Sequence, residues 1–344
     1  MNSTEKMIQN KAYELGYEKC GIIPVQAMEG YREKVEERIQ KAPASEQFYR
    51  KKHGWLADLQ EDYPWAKSII VVVSRYGKYR IPESVKNHIG KHYLTDTRID
   101  VNTKEYQSKL DMDQYLQELG IRIDSDSKFG LVGLRWAAMQ AGLGIVRRNN
   151  FFYTESGSWV YLGAWLTDRE MNLRETTNLP PCPKNCNRCI AACPTHSLSE
   201  PYTMLPNSCV SFLTTFGGRD LVQDPLSRNF KSFIYGCDIC QDVCPMNKGK
   251  WQEYEEFPGL SELAPSLTLE NILNMDESLY KEKIQPKFFY LTPEDSWKWK
   301  VNVLCFMRNN YQEKYKPAIL AACKNETSKV REMAQSVCDE MGLS

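Results

Sequence analysis

The sequence predicts an α+β protein in three parts: a first part that mixes strands and helices, a short cysteine-rich middle, and a helical end. Three observations carry this. Apolar, β-branched runs alternate with stretches of helical spacing before the middle of the chain, eight of the 12 cysteines fall between Cys182 and Cys244, and helical patterning returns from about Thr268. A length of 344 residues leaves room for two or three compact units.

The opening region, to about Lys51, is rich in Glu, Lys and Gln with spaced apolar residues and reads as helical. Ser68 to Ser74 (SIIVVVS) is a buried-strand pattern. Tyr106 to Gly120 carries Leu110, Tyr115, Leu116 and Leu119 near helical spacing and stops at a glycine. The following IRID reads as a strand that leads into a polar loop. Leu131 to Gly144 reads as a helix closed by Gly142 and Gly144, and Trp159 to Thr167 as a further strand. These elements make residues 1–173 an α/β unit. Pro180, Pro181 and Pro183 mark entry into the cysteine region, residues 174–262. Residues 263–344 hold three helical segments, SWKWKVNVLCFMRNN, KYKPAILAACKN and SKVREMAQSVCDEMG, that resemble HEAT-type repeats but are too few for a solenoid.

Lys plus Arg equals Asp plus Glu at 44 each, which excludes the bulk basic surface of a dedicated nucleic-acid binder and leaves only local patches. The polar opening has no signal-peptide core, and the apolar runs Ile69 to Val73 and Ala318 to Cys323 are too short to cross a bilayer. A soluble cytoplasmic protein is expected. In a reducing compartment, clustered cysteines point to metal rather than disulfides. The outlying Cys20, Cys305, Cys323 and Cys338 sit in helical or apolar contexts and read as buried thiols. His53, His88, His92 and His196 show no ligand spacing.

The central motif is CPKNCNRCIAACP, with Cys182, Cys186, Cys189 and Cys193 before Pro194. Cys209 follows alone, and CDICQDVCP then carries Cys237, Cys240 and Cys244 before Pro245. Two-cluster ferredoxins place three cysteines at short spacing and a fourth, before proline, that crosses to the other cluster. That pattern predicts a ferredoxin-like module with two [4Fe-4S] clusters, one on Cys182, Cys186, Cys189 and Cys244, the other on Cys193, Cys209, Cys237 and Cys240. Soft thiolates suit the iron cube. Two tetrahedral zinc sites are the alternative, although the repeated CxxxCP with a lone extra cysteine is not a usual zinc-ribbon arrangement. Cys209 lies 28 positions ahead of Cys237, so the intervening chain must be a packed excursion that returns it to the site.

A ferredoxin needs only some 60 residues, so the first part must do something else. The segments CIAACPTHSLSEPYTMLPNSCVSFLTTF and IYGCDICQDVCPMN, with AGLGIVRRNN and GSWVYLGAWLTD upstream, resemble the epoxyqueuosine reductases and, more distantly, the reductive dehalogenases. The resemblance implies a base-off cobalamin held by residues 1–173, two clusters that feed it electrons, and reduction of epoxyqueuosine in tRNA to queuosine. It also implies flavodoxin or ferredoxin as electron donor, and Tyr153, Ala164, Ser211 and Arg148 near the corrin.

The match breaks on the substrate side. The family's DTGPxxERxxA pattern, aligned on Ala141 to Gly144, sets Gly130 and Arg135 on its Gly and Arg but puts Lys128 where the catalytic Asp belongs. Asp126 and Asp124 lie close enough for a shifted loop to restore a carboxylate; otherwise Lys128 is a donor, an electrostatic clamp or a surface lysine. Leu134 replaces the motif's Glu, and Arg147, Arg148 and Asn149 replace its GKN; the arginines suit a phosphate or carboxylate, or form a solvated pair. Reductive dehalogenases use a tyrosine supported by a basic residue, which adds Tyr93 and Tyr106 as proton-donor candidates. Three functions stay in play: an epoxyqueuosine-type reductase acting on tRNA, a cobalamin reductase of a small molecule, and a non-catalytic electron carrier.

Overall fold

The computed structural model describes residues 3–51, 55–216 and 220–344. His53 lies outside them. Strands β1 (Lys19–Pro24), β2 (Ser68–Arg75), β3 (Ile123–Asp124) and β6 (Val160–Thr167) form one sheet in the order β1-β2-β6-β3, every pair antiparallel. The centre of that sheet is the Ile69 to Val73 run, buried on both faces as its unbroken apolar sequence requires. Two-residue strands β4 (Ile145–Val146) and β5 (Phe152–Tyr153) pair as a separate small hairpin.

Helices Lys104–Glu118 and Leu134–Gln140 match the sequence expectation, the second more briefly than its apolar pattern suggests. It ends where Gly142 takes φ 74°; a side chain there would run into the Glu175 carbonyl. Two local readings change. The opening is not wholly helical, because KCGIIP, too short to show alternation, becomes edge strand β1 by pairing with β2 over six residues. IRID contributes only Ile123 and Asp124 to the sheet, for the pairing with β6 stops there.

The largest hydrophobic core crosses the sequence boundaries. It joins Tyr76, Tyr79, Ile81, Val85 and Ile89 to Val210, Phe230 and Tyr235 of the cysteine region and to Trp299, Leu304 and Val337 of the final helices. Backbone bonds from Gly90 to the Tyr235 carbonyl (2.7 Å) and from Ile234 to the His88 carbonyl (2.8 Å) stitch the first part to the second. The helical end consists of Ser296–Asn309, Lys316–Ala322 and Ser328–Met341, packed on one another.

The excursion between Cys209 and Cys237 is held by that end. Arg308, 4% exposed, donates to Ser227 Oγ (2.7 Å), Asn309 to the Ser227 carbonyl (2.8 Å), and Asn302 to the Thr214 carbonyl (3.0 Å). Trp299 stacks on Tyr235 with ring centroids 4.6 Å apart and 10° between planes, one residue from Gly236 and two from Cys237. Replacing Trp299 by Ala should cost about 3–5 kcal/mol, the usual penalty for emptying an aromatic core site. Chemical denaturation of the anaerobic protein should show the loss, accompanied by weaker iron retention.

Candidate functional site

The cysteines fall into two groups. Cys189 feels the charges of Cys244 and Cys182. Cys240 feels those of Cys237, Cys209 and Cys193, and Cys209 in turn that of Cys193. The last cysteine of each CxxxCP motif thus lies with the other motif. Burial first, and the neighbouring sulfurs with it, pushes the Cys237 and Cys240 thiols well above their usual range. Crowded thiols of this kind resist ionisation by themselves, and a cationic iron core removes the repulsion. Among the described residues no three potential ligands converge on a single-ion site; the sulfurs around an iron–sulfur cube stand farther apart than those around one zinc.

The residues after the Leu134–Gln140 helix serve the first group. Arg147, 2% exposed, reaches Cys182 Sγ (3.9 Å), and its guanidinium lies over the Tyr153 ring at 5.1 Å. Arg148 donates to the carbonyls of Cys186 (2.6 Å) and Lys184 (2.7 Å), clamping the CPKNC loop. Both arginines are therefore engaged at the cysteine loop, not splayed into solvent. Tyr153 is buried, and desolvation first, then the nearby Cys244 thiol, raises its pKa; Asn149 bridges its hydroxyl (2.9 Å) to the Cys240 carbonyl (3.0 Å). Asn247 ties Ser158 (2.8 Å) and the Gln241 carbonyl (2.9 Å) into the same buried network.

A cavity of about 930 Å³ lies between the sheet, the Tyr31–Lys41 helix and the cysteine region. Its lining includes Tyr31, Trp136, Phe152, Tyr161, Tyr202 and Tyr290, with Arg38, Arg135 and Asn150 as polar points. That is the upper end of ordinary ligand cavities, roughly 300–1,000 Å³. Burial, then repulsion from Arg38, lowers the Arg135 pKa to about 10, and Asn150 Nδ2 is buried with no partner. A large, aromatic-walled space with an unsatisfied amide and a carboxylate-free guanidinium suits a bulky cofactor with polar side arms.

Arg98 stands where this cavity meets two others, one of about 60 Å³ beside Ala164 and Tyr106 and one of about 680 Å³ lined by Asp124, Asp126 and Lys128. Its Nη2 donates to Asp96 (2.6 Å), His92 Nε2 (3.3 Å) and the Tyr290 hydroxyl (3.0 Å), and its Nη1 to the Lys128 carbonyl (2.9 Å). Burial opposes the charges of Arg98 and Asp96, but their mutual attraction outweighs it and keeps both ionised. Burial, aided by Arg98, lowers His92 to about 4, so the imidazole is neutral and accepts through Nε2.

The predicted site residues are dispersed. Lys128 is exposed, its ammonium 5.1 Å from the Phe289 ring. Asp126 accepts from the N–H groups of Lys128 (2.8 Å) and Phe129 (3.1 Å), so its carboxylate shapes its own loop. Tyr93 and Ser211 meet, their hydroxyls 2.8 Å apart, beside Cys209 and not on the large cavity. Gly236 abuts the Tyr93 ring with φ 75°, a fit no side chain would allow. Tyr153 and Arg148 lie at the cysteine loops. The sequence reading missed Tyr290, Arg98 and Asp96; a buried Asp-x-Arg was visible as DTR, but nothing local linked it to a tyrosine almost two hundred residues later. Of the outlying thiols, burial pushes Cys20 and Cys305 up to about 12, while the Cys323 and Cys338 sulfurs lie 3.5 Å apart.

Crossed cysteine groups define a double-cluster iron–sulfur protein, and residues 182–247 match the 4Fe-4S double cluster binding domain. Beyond that module, the chain is similar to epoxyqueuosine reductases. It is 33% identical over 178 residues to one from Synechococcus, an alignment spanning 53% of that protein and 50% of this chain. It is 29% identical to one from Synechocystis (82% of that protein, 66% of this chain) and 28% identical to one from Prochlorococcus marinus (95% and 87%). Among solved structures, a selenomethionine-labelled epoxyqueuosine reductase superposes with TM-score 0.78 at 22% identity, over 96% of this chain and 88% of that one. An epoxyqueuosine reductase with an epoxyqueuosine-modified tRNA-Tyr stem loop gives 0.75 at 20% identity, over 98% and 90%. These structures establish the shared fold.

Replacing Cys240 by Ser should remove the second cluster while the first persists, read as roughly half the iron and acid-labile sulfide. The neutral His92 makes a separate prediction. Its folded pKa of about 4 lies below the unfolded value of about 6.5, so the unfolded chain binds more protons between them. Stability should therefore fall as pH drops from about 6.5 to 4, by roughly 3 kcal/mol, and a His92→Gln variant should show a flatter profile in denaturant titrations.

Proposed function

We propose that this protein is a cytoplasmic reductase that uses two [4Fe-4S] clusters and a base-off cobalamin to convert epoxyqueuosine in tRNA to queuosine. The observation that carries the reading is the 930 Å³ cavity, bounded by the cysteine region on one side and the Arg98 network on the other. The tRNA stem loop bound to a relative of the same fold supports the substrate class. No helix among the described residues is long and apolar enough to cross a membrane. Residues 1–173 supply most of the cofactor and substrate site, 174–262 the clusters on the eight cysteines, and 263–344 a helical brace that also brings Tyr290 to the cavity. A flavodoxin or ferredoxin delivers the electrons.

Opening an epoxide to an alkene with loss of its oxygen as water takes two electrons and two protons. Cobalamin, when bound, supplies a strongly reducing, nucleophilic metal centre that these side chains do not. Arg135, Arg38 and Asn150 would hold its polar arms, and the aromatic walls would exclude water. Protons come from the chain. Tyr290 Oη accepts from Arg98, which leaves the tyrosine's own hydrogen free to face the cavity and stabilises the tyrosinate left after transfer. Asp96 fixes the guanidinium, and the bond from Arg98 to the Lys128 carbonyl couples the donor to the 124–130 loop. One relative has its catalytic loop swung out of the active site, so the corresponding loop here is the natural gate.

A second reading follows from Lys128, which stands in place of the family's catalytic acid while Asp126 is committed to its own loop. A small-molecule substrate, with Lys128 as an electrostatic clamp, fits that change. Turnover of an epoxyqueuosine-bearing stem loop against a halogenated aromatic, by anaerobically reconstituted protein, separates the two. Tyr290→Phe should lower turnover by roughly 10²-fold or more while cobalamin and iron contents stay unchanged. Failure of the purified chain to take up cobalamin would leave it an electron carrier and overturn both readings.

A further inference from the structure

We infer that the buried guanidinium of Arg147 makes the cluster on Cys182, Cys186, Cys189 and Cys244 the more easily reduced of the pair, and leaves the cluster on Cys193, Cys209, Cys237 and Cys240 at the lower potential. The inference rests on the ligand grouping proposed above and is independent of the substrate.

Reduction adds one negative charge to a cluster, and the potential follows the fixed charges and hydrogen bonds that its sulfurs meet. Around the first group those favour the electron. Arg147 is 2% exposed, its Nη1 lies 3.9 Å from Cys182 Sγ, and its Nε is buried without a partner. Its charge meets that sulfur and the face of the Tyr153 ring, 5.1 Å from its centroid. Among the described residues no carboxylate pairs with it, so the cation is compensated only by the cluster. In a site of low dielectric such a charge acts far more strongly than in water.

The second group meets a different set. Thr195 Oγ1 lies 4.0 Å from Cys193 Sγ, and the backbone N–H groups of Ser211 and Phe212 face Cys209. These are neutral donors. The charged neighbours are Asp238, Asp242 and Lys91, whose ammonium lies 3.6 Å from the Asp238 carboxylate and 2.6 Å from that of Asp242, so this cluster meets two carboxylates around one ammonium. Arg147 makes the largest difference, as a buried cation directly against a ligand sulfur, and it occupies a position where the related family's GKN pattern has glycine.

An anaerobic redox titration followed by electron paramagnetic resonance tests this on reconstituted protein carrying about eight irons per chain. Two separate one-electron waves are expected. Arg147→Gln should move the more positive wave downward by a factor of ten or more in the reduction equilibrium, about 59 mV for one electron, and leave the other in place. Arg147→Lys, which keeps the charge, should move it less. Unchanged waves in a Gln variant that retains both clusters would overturn the inference. Should that variant lose iron, Cys182→Ser decides: it must alter the more positive wave, and alteration of the more negative one refutes the assignment. Iron far below eight in the unmodified protein would instead count against the ligand grouping itself.

Discussion

The exchange of a cysteine between the two short motifs is the constraint on which the rest of this structure depends. Cys193 and Cys244 each leave their own motif for the other, so neither sulfur group can form until both loops are in place. Cys209 adds a second demand, because it must return from a 28-position excursion. Loop closure of that length costs only a few kcal/mol in chain entropy, but the closed form still needs something to hold it. The final helices do so through Arg308, Asn309 and Asn302, and the 76–94 segment does so from the other side through its backbone bonds to Ile234 and Tyr235.

The same packing places polar groups with unusual economy. Asn149 links Tyr153 to Cys240, and Asn247 links Ser158 to Gln241, so buried amides tie the residues around β5 to the CDICQDVCP loop. Arg98 works similarly at the cavity, where one guanidinium serves Asp96, His92, Tyr290 and the Lys128 carbonyl. A neutral imidazole and an ionised carboxylate beside one fixed cation give three groups with different charge in a few ångströms, a condition suited to directing a proton.

Legibility in the sequence followed locality. The Ile69 to Val73 run, the Tyr106 helix and the β6 segment declared themselves because their apolar spacing is contained within one element. Strand β1 did not, since its strand character arises from pairing with β2 across almost fifty residues. The double-cluster module was legible because cysteine spacing encodes ligation directly. The candidate catalytic groups were legible only in part: Lys128 and Asp126 stand near the expected loop, but Tyr290 reaches Arg98 by a fold-level contact that no periodicity or motif could announce. Arg147 and Arg148 were visible as a pair, whereas their direction, inward onto the cysteine loop, was set by burial of the β4–β5 hairpin.

The core that runs through Tyr76, Phe230, Tyr235 and Trp299 has an implication for how such a module can spread among proteins. A free-standing ferredoxin carries its own interior and travels between hosts as a cassette. Here the iron-binding stretch borrows most of its interior from the residues that flank it, so excision would strip those aromatic rings of their neighbours and leave them wet. Duplication or transfer of this unit is therefore expected to proceed with both flanks attached, as one heritable block.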